Sequence, residues 1–422
     1  MKKILAVLLA VVMVASLATV AFAEEKAPVT LQVSIVESDF LDTWVDEIKP
    51  KFEAEYPWIT LEDVGTGTNK SDFHSTRAAA NDLPPVMQTD NGDVYYALID
   101  EGKLVDLAST EAASHIPQSY KDAYTRDGVL FGLTQGAAYD ACFFNMAILR
   151  DAGVEAVPTN WDEFIACCEA VQAAGYDVLC YAGAKNTTAW MLPETIIATE
   201  VIEAEGEGFY ETNLRAGTLD ISKYPAIAEK LAQVAPFIAA GSSTATEDDV
   251  TAIMTDGNCA IAIAGNWTSN NITTGIAEAT GDAADAVMVP VPFANADGKT
   301  YIAASPESSF GMSVVEDEAI AEARDIFFEW IFKPENFRYI QNARGTLPVL
   351  DNMGAELVVL PDAVAKFSSA CQSCVPFSMS FNNVNGDVNA NTTVVINELF
   401  TGAKDAVTAV ADINAIWATN IK

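Results

Sequence analysis

Short apolar runs and longer amphipathic stretches alternate along this chain. That pattern predicts strands separated by helices, an α/β fold with a mostly parallel sheet. Val29 to Val36 reads as the first strand, Leu41 to Tyr56 as an amphipathic helix stopped before Pro57, and Ile59 to Val64 as a second strand. Asp72 to Asn81 is a helical stretch. Pro84 to Asp90 is a strand running into a polar loop, and Val94 to Glu101 a helix closed by Gly102, a residue suited to a left-handed C-cap. Phe131 to Gly136 followed by Ala137 to Asn145 is extended, apolar and glycine-marked, as a passage between two lobes should be. Met146 to Ala152 is a short helix. At Pro158 to Glu163, Thr159 or Asn160 caps the next helix, with acidic residues in its first turn. Asp177 to Ala182 is a strand and Trp190 to Ala204 a helix. Ile221 to Ala240 is helical with interruptions at Pro225 and Pro236.

The stretch from Met254 to Trp267 carries the most information. Residues 259 to 264 are uniformly apolar, which suits a strand buried on both faces. Gly265 permits a sharp turn, and Trp267 then stands at the strand's carboxyl edge, where open α/β sheets bind ligands. A helix follows to about Ala279. Val287 to Pro292 is a strand ended by prolines and a second candidate passage. Phe310 to Val315 is a strand, and Ala319 to Phe332 and Glu335 to Ala343 are helices. Arg344 to Pro348 is a third candidate passage, and helices at Thr392 to Leu399 and Asp405 to Ile421 end the chain.

Composition narrows the function. Lys2 and Lys3, an apolar run from Ile4 to about Val20, and Ala21-Phe22-Ala23 form a secretory signal peptide over residues 1–23, with a small-x-small cleavage site. No Cys sits there to carry a lipid anchor, so the expected location is periplasmic, secreted or at the cell surface. The ~400 residues that remain exceed what one core supports, so two domains are expected. A formal net charge of -36 makes nucleic acid and anionic lipid poor partners and leaves neutral or cationic ligands open. Seven cysteines cannot all pair internally. Cys371 and Cys374 have redox or metal spacing, but there is no second such pair and the two histidines, His74 and His115, are remote in sequence. No metal site and no cofactor are expected.

The order of segments resembles the extracellular solute-binding proteins of family 1, the sugar-binding receptors of ABC importers. Leu83-Pro84-Pro85-Val86 with Gly102 to Leu107 is similar to the family's "P-D-V … G-L-L-x-x-L". Phe131-Gly-Leu-Thr134, Cys142 to Asn145, Gly153 and Pro158 to Phe164 follow "G-L-P … Y-Y-N … G … P-x-T-W-D-E-F". Asp256 to Ala260 with Gly265-Asn-Trp267 follows "G-K-A-A-M … G-x-W". Gly311 to Val315 with Gly345 to Pro348, and Ile396 to Gly402 with Asp405, complete the series. Pro85 and Cys142-Phe143-Phe144 depart from the pattern as packing variants.

The resemblance implies a two-lobed periplasmic-binding-protein fold of type II, with ligand in the cleft between lobes joined by crossing segments. Lobe 1 is expected at 24–138 plus 292–342 and lobe 2 at 139–291 plus 343–422. It implies a monomeric, non-enzymatic receptor that captures a carbohydrate and hands it to the membrane permease of an ABC importer. The rivals are a receptor for a polyamine, peptide or metal chelate, a secreted glycan-cleaving enzyme, and an adhesive or sensory module. Sugar sites pair aromatic platforms with polar hydrogen-bonding groups. The ligand candidates are therefore Trp267 and Trp190, Asp90 and Asn91 at the end of their strand, and Ser38 and Asp39 at the end of the first strand. Tyr139 and Asp140 on the crossing segment join them, with Phe310, Arg344, Phe377 and Phe381.

Overall fold

The computed structural model describes residues 26–35, 41–66, 70–186, 188–291, 298–344 and 349–420. The segment read as a signal peptide, Ser38 and Asp39, and the third candidate passage after Arg344 lie outside the described residues.

The strands are β1 Val29–Ser34, β2 Ile59–Asp63, β3 Val86–Thr89, β4 Thr125–Arg126, β5 Val129–Leu130, β6 Leu133–Thr134, β7 Ala137–Asn145, β8 Asp177–Tyr181, β9 Cys259–Gly265, β10 Ala286–Pro290, β11 Tyr301–Pro306, β12 Ser309–Met312 and β13 Val375–Ser378. They form two main sheets and a small β4–β5 hairpin. The first sheet runs β2-β1-β3-β12-β6. β1 lies parallel to β2 and β3, and β12 antiparallel to β3 and β6. The second runs β13-β11-β7-β9-β8, with β10 also paired to β7. There β8 and β9 are parallel, as are β11 and β13, while β7 is antiparallel to each of its partners. The expected mostly parallel sheet is thus two mixed sheets: strands that arrive from the other sheet run against their neighbours.

β7 explains the second sheet's position. Eight of its nine residues are buried, all but Tyr139. Ala138, Cys142 and Phe144 face one core, and Ala141 and Phe143 the opposite one. Such a strand must be covered on both sides, and helices 161–174, 191–205 and 406–417 cover one side. The first sheet has its own core, in which Trp44, Phe52, Phe327 and Trp330 pack edge to face.

The chain passes between the sheets three times within the described residues, the last between Leu350, in the first core, and Val364, in a core of the second sheet on the way to β13. The first passage joins β6 to β7 and matches the sequence expectation. The second joins β11 to β12, between Pro306 and Ser309, and not at Val287 to Pro292. Pro290 ends β10, but β10 pairs wholly within the second sheet. β11 likewise belongs to the second sheet, whereas the sequence reading placed it with the first, and Val349 and Leu350 pack in the first core. The first two passages run side by side: Gln135 N donates to Ser308 O at 2.9 Å, and Glu307 N to Gly136 O at 2.9 Å. Local predictions hold at the caps. Asn160, not Thr159, accepts the backbone N–H of Glu163, and Gly102 adopts φ +66.

Candidate functional site

Trp267 follows β9 directly and is half-buried. Its indole lies on Gly265: a Cβ there would stand 2.3 Å from the ring, although the backbone φ of -76 suits any residue. The indole Nε1 donates to Glu247 Oε1 at 2.8 Å, and Glu247 Oε2 accepts from Lys185 Nζ at 2.8 Å. Lys185 Nζ sits 5.9 Å from the ring centroid. Asn266, the residue between, faces inward. It accepts from Tyr139 N and donates to Ala137 O, both at 2.9 Å, fastening the β9 end to β7. The half-buried Tyr139 packs edge-on to Phe367, and burial raises its phenol pKa.

A second polar group forms at the end of β3. Lys70 Nζ, nearly buried, lies 2.9 Å from Asp90 Oδ1 and donates to Ser308 Oγ at 2.7 Å, while Ser308 Oγ donates to Asp90 at 3.1 Å. Asp90 itself is exposed enough to meet a ligand. Asn91 accepts a hydrogen bond from the Tyr96 hydroxyl. Nearby, His74 is buried and links Ser34 Oγ (2.7 Å) to Tyr95 OH (3.0 Å). Burial, aided by Lys70 and Arg77, pushes its pKa down to about 4.

Four candidates sit away from any open surface. Trp190 stacks on Trp417 with centroids 5.6 Å apart and donates to Thr393 Oγ1, so it is a core residue. Phe310 packs against Phe332 inside the first core. Phe377 meets Tyr210 edge-on in the second core, where Phe381 lies half-buried at the margin. Arg344, 5 % exposed, donates to Gln135 Oε1 at 2.8 Å and Glu307 Oε2 at 2.9 Å. It ties these two passages together and is buried between them. Asp140 is also interior. Neither carboxylate oxygen has a hydrogen-bond partner among the described residues, and burial and the neighbouring Glu194 hold its pKa well above the carboxylate range. Glu194, which accepts from Ser380 N, is pushed by burial to about 8.

Lys70, Ser308, Glu247 and Lys185 escaped sequence reading. Lys70–Asp90 and Glu247–Trp267 are each twenty positions apart, a spacing that no helix or strand period marks. Among the described residues no group of three His, Cys, Asp or Glu side chains is arranged to hold a metal ion, and no helix is long and apolar enough to cross a membrane. The seven cysteines are free thiols.

Residues 48–366 match the family model described as "Bacterial extracellular solute-binding protein". The chain belongs to this family. No curated protein matches it. Among solved structures, this solute-binding protein is similar to a chitin oligosaccharide binding protein at 18% identity and a TM-score of 0.76, over 92% of this chain and 98% of the other. RafE in complex with raffinose gives 18% and 0.74 over 92% and 98%. A family 1 extracellular solute-binding protein from Bifidobacterium longum subsp. infantis gives 20% and 0.66 over 93% and 100%. Likeness at these identities shows the fold, and it is the two-lobed α/β architecture in which each of the two sheets described above forms a lobe's centre.

Proposed function

We propose that this solute-binding protein captures a neutral saccharide, an oligosaccharide foremost, in a cleft between the lobes and delivers it to the permease of an ABC importer. The observation that carries the reading is Trp267, an indole held flat on Gly265 at the carboxyl end of β9 in a chain of this family. A flat ring beside polar groups suits the apolar C–H face of a pyranose. Structural relatives described with chitin oligosaccharide, raffinose and stachyose support the ligand class. Asp90 with Lys70 and Ser308 supplies donors and acceptors on the first lobe.

Closure is the mechanism. Ligand touches both lobes only when they approach, so binding shifts the population toward the closed state. For the lobe boundaries, strand pairing supports ending the second passage near Ser309 in place of residue 292. The protein acts outside the cytoplasm, as a monomer, without nucleic acid, and as a binder with no catalytic step. Paired carboxylates for glycoside cleavage must flank an accessible bond, and the neighbouring Asp140 and Glu194 are buried in the second lobe's interior.

A thermal-shift screen of the mature chain tests this, because a ligand specific for the folded state raises apparent stability. At a saccharide concentration about 100 times Kd the gain is about 2.7 kcal/mol. A shift with a polyamine or peptide and none with any saccharide would overturn the proposal, and recovery of cleaved saccharide would overturn the non-enzymatic part.

A further inference from the structure

Three segments distant in sequence converge under Trp267. The loop after β8 is zipped to residues 242–245: Gly183 N donates to Ser242 O at 2.9 Å, and Ala184 N to Ala245 O at 3.1 Å. Gly183 is required there, since a Cβ would meet the Ser243 backbone at 2.5 Å. That contact delivers Lys185 beside Glu247. Glu247 is the first residue of helix 247–255, whose start is pinned by a reciprocal cap: Thr246 N donates to Asp249 Oδ2 at 2.8 Å, and Asp249 N to Thr246 Oγ1 at 3.2 Å. The third segment is the β9 end, where Gly265 receives the indole.

We propose that Glu247, held by Lys185, is the positioning residue for Trp267, and that the pair makes this platform selective for an uncharged sugar ring. The inference rests on the saccharide reading above. Nothing else in this arrangement uses the indole N–H, and Glu247 needs both carboxylate oxygens to hold Trp267 and Lys185 at once. With one face on Gly265 and one edge on Glu247, the ring has lost its freedom to turn before any ligand arrives, which lowers the ordering cost of binding. The selectivity follows from charge. A cationic ligand would seek the ring face through cation–π attraction, but Lys185 already places an ammonium near that ring and repels a second. An ammonium carries three donors and Glu247 engages one, so Lys185 retains donors for a hydroxyl at the ring's edge.

Two linked measurements test this. In protein labelled with 5-fluorotryptophan, the Trp267 resonance among the seven is assigned by its loss in W267F. Without ligand, E247A should shift or broaden that resonance while the others stay in place. An unchanged Trp267 resonance overturns the proposal whatever the protein binds. Calorimetric titration with raffinose and chitin oligosaccharides then reads affinity. E247A should raise Kd about tenfold in the wild-type background, the scale of one charge-assisted hydrogen bond, and less than about twofold in W267F, which has no indole N–H to hold. Equal losses in both backgrounds would show that Glu247 acts on the ligand directly and refute positioning. If the resonance moves but wild-type protein binds no saccharide, the receptor reading fails and the sugar selectivity falls with it, while the positioning contact stands.

Discussion

The buried pair Arg344–Glu307 offers the sharpest test of how the two lobes are joined. Glu307 lies in the β11–β12 passage, Gln135 in the β6–β7 passage, and Arg344 ends helix 334–344. Both charged side chains are 5 % exposed. Glu307→Ala removes the carboxylate that pairs with Arg344 and leaves the guanidinium buried, still donating to Gln135. Stranding one member of a buried pair costs about 3–5 kcal/mol. Because Gln135 still accepts from Nη1, we take the lower end, about 3 kcal/mol. For a ~400-residue protein the unfolding entropy is about 0.8 kcal/mol/K, so the midpoint should fall by about 4 °C. Differential scanning calorimetry of the ligand-free protein measures it and separates the lobes if they unfold independently. Both transitions should then move, because the network draws on both passages. The double variant E307M/R344M should recover most of the loss, since it buries no lone charge. A drop below about 1 °C for E307A, or a double variant no better than the single, would refute the reasoning.

Trp267→Ala should abolish the saccharide thermal shift while the ligand-free protein stays folded by circular dichroism; collapse of the fold would assign the indole a packing role instead. Gly265→Ala should weaken binding through the same ring without touching a ligand group, because its methyl occupies the indole's place; unchanged affinity would show that the ring's seat is irrelevant. His74 has a folded pKa of about 4 against 6.5 unfolded. Its stabilising share is complete above pH 6.5 and is lost as pH falls toward 4, about 3 kcal/mol in all; urea titrations of wild type and H74Q should differ in slope only across that window. Glu194 runs the other way. Its folded pKa of about 8 exceeds the unfolded 4.5, so its share is complete below pH 4.5 and is lost as pH rises through 8. E194Q, which keeps an acceptor for Ser380 N, should flatten stability over that range, and an unaltered slope would exclude Glu194 as the titrating group.

Much of the fold was legible because its strands are buried on both faces. The six apolar residues from 259 to 264 have no solvent face to encode and read as strand from composition alone. β4, β5 and β6 are two residues each and carry no periodicity, and a strand's own sequence does not name its neighbour or its direction. The misplaced passage has a definite cause. Prolines read as strand ends remove backbone donors, but ending a strand, as Pro290 does, does not move the chain to another sheet. Pro306 does stand at that passage, and there it pairs with Ala137 at the edge of β7. The aromatic candidates divide for a related reason. Trp190, Phe310 and Trp267 all lie near strand ends, and which way each ring turns depends on partners far along the chain: Trp417, Phe332 and Glu247.

Arg344 shows how a polar residue read as a ligand contact can be taken up by the protein's own interior. The sequence placed it at the start of a passage, but Val349 and Leu350 still pack in the first core, and Arg344 instead lies against two other passages. A cation at a crossing was read as a ligand contact because such clefts are lined by polar groups. Yet the crossings are also where two passages bury each other's backbone, so polar side chains are needed to satisfy interior donors and acceptors. Thr134 illustrates this, donating to Gly136 O at 2.7 Å and Glu307 O at 3.0 Å. A polar residue at such a crossing therefore divides between two tasks by burial. Asp90, held by Lys70 and Ser308 at the end of β3, still keeps nearly half of its side chain in solvent. Arg344 does not, and any ligand that took it would have to compensate the loss of both Glu307 and Gln135.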